Sequence, residues 1–145
     1  MSTVLLRETP YGSDHYSQSL QLRHKILRAP LGLDLFAEDL GIEQHQRHFS
    51  LWQDKNLLAC LVIVPLSCSA VKLRQMAVND QYQRRGYGQQ LIAEVEAVLK
   101  HNGISHVELH ARVSAIAFYQ SCGYHCVGEI YTEVGILHQT MIKTL

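Results

Sequence analysis

Two arginines and two glycines stand directly before an amphipathic run in 83-QRRGYGQQLI-92. The first turn of a helix leaves backbone N–H groups without partners, and they carry partial positive charge. A helix start is therefore a ready anion site. Gly86 and Gly88 let the main chain take positive φ and approach a ligand closely. Arg84 and Arg85 add charge-assisted hydrogen bonds. Read this way, the stretch is a cradle for a diphosphate. The same residues also suit a polar turn capping a surface helix, and so short a stretch does not decide between the two. Two phosphate motifs are excluded. No Gly-Lys-Ser/Thr is present, so this is not an NTPase loop. Leu91 stands where a dinucleotide fingerprint needs its third glycine.

The other reactive residue types do not cluster. Cys60, Cys68, Cys122 and Cys126 form no CxxC pair. The string 122-CGYHC-126 has a metal-like look, but no second cluster completes a tetrahedral set, so no metal is expected. The nine histidines are dispersed. The whole chain, 145 residues at 47% hydrophobic and 18% charged, has the size and composition of one globular domain spanning 1–145. Thirteen basic and thirteen acidic residues cancel. That argues against a nucleic-acid or anionic-membrane partner, although Arg84-Arg85 remains a local basic patch. The longest apolar run, Leu57 to Leu66, is too short for a bilayer and reads as a buried strand. No secretory leader is visible, so the cytoplasm is the expected compartment.

The elements that must position the loop follow from periodicity and breakers. A strand is expected at 3-TVLLRE-8, then a helix from Tyr11 to about Arg28, broken by Pro30 and Gly32. A second short helix is expected over 33-LDLFAEDL-40, ending at Gly41. Strands at His48–Gln53, Leu57–Pro65 and Val71–Val78 read as an antiparallel meander. After the loop, Leu91, Ile92, Val95, Val98 and Leu99 share one helix face, and Gly103 ends it. Residues 104-ISHVELH-110 read as a strand, Ser114 to Ser121 as a short helix, and Tyr124–Tyr131 and Leu137–Lys143 as two final strands. The order β-α-α-β-β-β-α-β-α-β-β implies an α/β (mixed α+β three-layer) sandwich. Its central sheet is mixed and mostly antiparallel, with helices on both faces.

In this context the residues resemble the GNAT superfamily of N-acetyltransferases. Its signature Gln/Arg-x-x-Gly-x-Gly/Ala, between a strand and a helix, is matched by Gln83, Gly86 and Gly88 after 73-LRQMAV-78. A second signature, a short helix with an aromatic pair ahead of Gly-Phe/Tyr, is matched by 115-AIAFYQSCGY-124. The element order agrees along nearly the whole chain, and the segments 27-LRAPLG-32 and 135-GILHQTM-141 look like a branch of small bacterial members. One departure is that many members have Asn where this chain has Arg112, so contacts made by that Asn are not carried over.

The resemblance implies an acyl-CoA N-acyltransferase type of fold and acetyl-CoA as the cofactor. The pyrophosphate would sit on the main chain of Arg84, Arg85, Gly86, Tyr87, Gly88 and Gln89, with Gln83 leading in. The pantetheine arm would run beside Met76, Ala77 and Val78, and Leu109, His110 and Ala111 would line the opening on the next strand. Ala115 and Phe118 would lie near the cofactor. Acyl transfer needs a neutral amine, and a free lysine amine has a pKa of about 10.4. It also needs a donor for the carbonyl oxygen, for which a main-chain N–H near Met76 to Val78 is the candidate. Tyr119 stands where the family often keeps the acid for the leaving thiolate. Candidates for the base are Glu108, His110, Glu133 and His138, with histidine favoured by where it titrates; water is a further candidate. Arg23, Arg28, Leu31 and Gly32 lie where the first two helices frame the acceptor, and an arginine there could clamp a carboxylate. The leading expectation is an acetyl-CoA-dependent N-acetyltransferase acting on a small-molecule or peptide amine, as a possible homodimer. The alternative is a non-catalytic acyl-CoA-binding module.

Overall fold

The computed structural model describes residues 3–145. Its central sheet has seven strands: β1 (Val4–Glu8), β2 (Arg47–Gln53), β3 (Asn56–Pro65), β4 (Ala70–Val78), β5 (His106–Arg112), β6 (His125–Glu133) and β7 (Ile136–Thr144). They lie in the order β1-β2-β3-β4-β5-β7-β6. Only β4 and β5 run parallel, and the helix between them is the crossover that such a pair requires.

Three α-helices cover the sheet: α1 (Asp14–Arg23), α2 (Tyr87–His101) and α3 (Ile116–Ser121). The side chain of Ser13 accepts from the Tyr16 N–H at 3.2 Å, so α1 starts there and not at Tyr11. Its last turn, His24–Arg28, widens into a π turn before the break at Pro30. The single helix expected over 33–40 is instead two 3-10 turns, Leu35–Ala37 and Leu40–His45. Asp34 and Asp39 are the reason: each side chain accepts from the N–H two residues on, at 2.9 and 3.1 Å, and so bends the chain locally. The strand after α2 starts at His106 and runs to Arg112, two residues beyond expectation.

On one face of the sheet, Leu91, Ile92, Val95 and Leu99 of α2 join Phe49, Leu51, Leu61 and Ile63, with Tyr119 of α3 completing the cluster. On the other, Leu22 of α1 packs with Trp52, Leu57, Cys60 and Ala77. Strand β4 contributes to both faces. Leu73 faces α2 and Ala77 faces α1, although four residues of regular strand would leave them on one side. A bulge makes the switch. Val62 pairs with Arg74 and Cys60 with Ala77, so Gln75 and Met76 stand opposite Leu61 alone, and Gln75 takes φ +50°.

The same strand opens the sheet. Its pairing with β5 runs from Ala70↔His106 to Leu73↔Leu109 and stops. β4 continues to Val78 and β5 to Arg112, so the two diverge. Among the described residues, no helix is long and apolar enough to cross a membrane.

Candidate active site

The gap between β4 and β5 is the mouth of a cavity of about 1030 Å³. Its walls are the π turn after α1, β4 from Lys72 to Val78, the loop leading into α2, the outer half of β5, α3 and the β6–β7 hairpin.

At one end lies the start of α2. Gly86 is its N-cap at φ +81°, a conformation that disfavours any side chain. It offers no side-chain cap, and the first turn holds no acidic residue. The first helical bond is Gln90 N–H to the Gly86 carbonyl at 3.0 Å, so the amides of Tyr87, Gly88 and Gln89 have no intrahelical acceptor. Arg84 also has a left-handed backbone, φ +64°, which bends the loop towards the cavity it lines. The Gln83 side chain ties the loop back to β4, donating to the Val78 carbonyl at 3.2 Å. Gly88 has a second reason to lack a side chain: an added Cβ would stand 3.1 Å from Phe118 and 3.3 Å from Val78. This end suits an anion held by main-chain N–H groups.

Along the middle, Met76, Ala77 and Val78 border the cavity on a stretch of β4 that β5 no longer pairs. Ala115, Phe118 and Tyr119 face it from α3. Tyr119 is 9% exposed, with its ring against those of Phe118 and Tyr124. Burial, then the neighbouring Cys122, push its pKa up. It therefore holds its proton at neutral pH, which suits an acid and not a base.

At the far end, three sequence candidates meet. His110 Nδ1 and Glu133 Oε1 are 2.9 Å apart, and His138 Nε2 lies 3.7 Å from Glu133 Oε2. His138 Nδ1 hydrogen-bonds the Ile136 carbonyl at 2.9 Å, which assigns the proton to Nδ1 and leaves Nε2 facing Glu133. Burial alone would raise the Glu133 pKa. The hydrogen bond from His110, with the charges of His110, His138 and Lys72, outweighs it and holds the carboxyl below its usual range.

Some expected residues lie elsewhere. Leu109 and Ala111 are on the strand positions that face α2 and α3, so their side chains enter the core. Arg85 stacks over Tyr82, 5.7 Å from the ring centroid, and does not line the cavity. Leu31 and Gly32 close the 3-10 turn beyond it. Arg23 is buried under β4, where it is bidentate to Glu43, with both bonds at 2.8 Å, and gives a further bond to Gln75 at 2.6 Å. It is thus engaged by the protein and is corrected from an acceptor ligand to a support of the bulge. Glu108 does not line the cavity either. Arg28 does line it, and so do Lys72, Arg74, Gln75 and Arg112, which sequence reasoning did not place there. For Lys72 and Arg74 the signal was present: they alternate with Val71 and Leu73 on one strand.

The parted strands and the cavity between them define an acyl-CoA N-acyltransferase fold. An N-acetyltransferase-described protein of Lactobacillus plantarum shares it at TM-score 0.86, with 21% identity and 98% of both chains covered. A Bacillus subtilis acetyltransferase solved in complex with CoA shares it at TM-score 0.74, with 17% identity and 99% of both chains covered. Residues 18–145 match the model of the acetyltransferase (GNAT) domain, and the chain belongs to that family. A Bacillus subtilis protein bearing an acetyltransferase name is 32% identical over 72 residues, 50% of this chain and 49% of the relative. The chain spans about half the length of the curated relatives it matches.

Proposed function

We propose that the protein is an acetyl-CoA-dependent N-acetyltransferase, one catalytic domain over 1–145, acting on a primary amine by direct attack. The observation that supports this most is the continuity of the cavity. It runs from uncapped amides at the start of α2, along the unpaired edge of β4, to the His110–Glu133–His138 group.

The residues fit the cofactor at two places. Tyr87, Gly88 and Gln89 N–H groups, with Arg84, would hold its pyrophosphate, and the main chain of Met76 and Val78 would hold the pantetheine amides. When bound, acetyl-CoA supplies an acetyl group on a thioester. The N–H of Met76, following the bulge at Gln75, would be the donor to the thioester carbonyl oxygen, on which charge develops during acyl transfer. His110, oriented by Glu133, takes the proton from the attacking amine, directly or through water; His138 completes the pair around the same carboxylate. Tyr119, protonated at neutral pH, would give its hydroxyl proton to the departing sulfur and regain one from solvent.

The test is release of CoA thiol from acetyl-CoA with a panel of primary amines, beside calorimetry with CoA alone. Binding with turnover is expected. Binding without turnover on any amine would favour an acyl-CoA-binding module, and no heat at millimolar CoA would sink both readings.

A further inference from the structure

Two guanidinium groups converge on one neutral oxygen at the acceptor end of the cavity. Arg112 Nη2 donates to the Leu27 carbonyl at 2.8 Å, and Arg28 Nη1 donates to the same carbonyl at 3.3 Å. They arrive from opposite walls, Arg28 from the π turn after α1 and Arg112 from the end of β5. Both line the cavity.

Two like charges held on one carbonyl repel each other. Burial of Arg112, then the charge of Arg28, lower its pKa, so the charged pair sits at a cost. Arg28 has one acidic partner, Glu38, at 2.8 Å from Nε, and that carboxylate is 41% exposed. Among the described residues no carboxylate lies within ion-pair distance of Arg112. Glu38 therefore pairs with Arg28 alone, and Arg112 has only the neutral Leu27 carbonyl to bond. A guanidinium presents a planar fork of donors that matches a carboxylate with two parallel bonds. Elsewhere in the same cavity, Glu133 holds a negative charge beside His110 and His138, the arrangement that draws a cationic amine and then takes its proton.

We infer that the acceptor is an amino carboxylate, its carboxylate held between Arg28 and Arg112 and its amine directed to His110 and Glu133. This rests on the acyl-transfer reading above and narrows it to one class of amine. It also gives a role to the position where the family pattern has asparagine.

The test uses amino carboxylates and their carboxamide twins, which differ in charge and little in shape. With acetyl-CoA and the full chain, the acid twin is expected to exceed the amide by about 10- to 100-fold in kcat/KM, the scale of a charge-assisted pair. Arg112→Met should collapse that ratio towards one, and Arg112→Lys should retain part of it. Arg112→Gln replaces Arg112→Met if the latter does not fold. An acid-to-amide ratio below about threefold in the unaltered protein overturns the inference. So does a ratio that survives Arg112→Met, or a variant that loses both twins alike while its CoA affinity falls, since Arg112 would then serve the cofactor. Absence of thiol release with every amine sinks the acyl-transfer reading instead. Calorimetry of each twin with CoA-loaded protein then decides the inference alone: preferential binding of the acid supports it, and equal or no binding overturns it.

Discussion

Arg23→Met should destabilise the protein far more than a change away from the cavity would suggest. Arg23 and Glu43 are each 1% exposed. Removing the guanidinium deletes two 2.8 Å bonds to Glu43 and the 2.6 Å bond to Gln75. It leaves a buried carboxylate short of its main counter-charge, a loss worth about 3–5 kcal/mol. Arg74 at 3.0 Å and the Tyr16 hydroxyl at 2.7 Å still reach Glu43, which places the expectation at the lower end, about 3 kcal/mol. Unfolding entropy near 2.1 cal/mol/K per residue amounts to about 0.3 kcal/mol/K for 145 residues, so Tm should fall by about 10 °C. A calorimetric melt measures this. A double-mutant cycle with Glu43→Gln should show a coupling of about 2 kcal/mol or more. The effect should also reach the chemistry. Gln75 is left-handed at φ +50° and leads into the Met76 amide, so loosening its anchor should lower kcat more than it raises KM. A Tm within about 2 °C of the unaltered protein, or additive single effects, would refute the view that this pair holds the bulge.

Stability should also fall in acid with a recognisable origin. The Glu43 carboxyl, buried but held by Arg23, Tyr16 and Arg74, titrates at about 2 against an ordinary 4.5. A depressed folded value means the contribution is complete above about pH 4.5 and is lost as pH falls towards 2, a difference of about 3 kcal/mol. Urea titrations across that window should show the slope in the parent and its loss in Glu43→Gln; equal slopes would remove Glu43 as the cause. Tyr119→Phe should lower turnover by about 10²–10⁴-fold while leaving CoA affinity within a few-fold, as loss of a general acid does. A rate close to the parent's would take the acid role from Tyr119.

Much of the frame was readable locally. The stripe Leu91, Ile92, Val95 and Leu99 shows its buried face by spacing alone, because a helix repeats every 3.6 residues whatever surrounds it. Gln83 to Gly88 announced an uncapped helix start, since positive φ and unpaired amides are properties of a few consecutive residues. His110, Glu133 and His138 were recognisable as candidates by type, but their meeting depends on Arg112 pairing with His138 across β5 and β7. The sequence pattern ends that strand at His110, short of this pairing.

The chain's own order of residues determined its strands, its long helix and the loop that can hold a diphosphate, because each depends on neighbours within a turn or a pleat. Folding decided which charges are free. Arg23 and Arg28 read alike in the sequence. One meets buried Glu43 and Gln75 and is spent inside the protein, while the other pairs with the exposed Glu38, shares the Leu27 carbonyl with Arg112 and stays at the cavity wall. An arginine's availability is set by whether a partner desolvates and neutralises it, and those partners come from segments far apart in the chain.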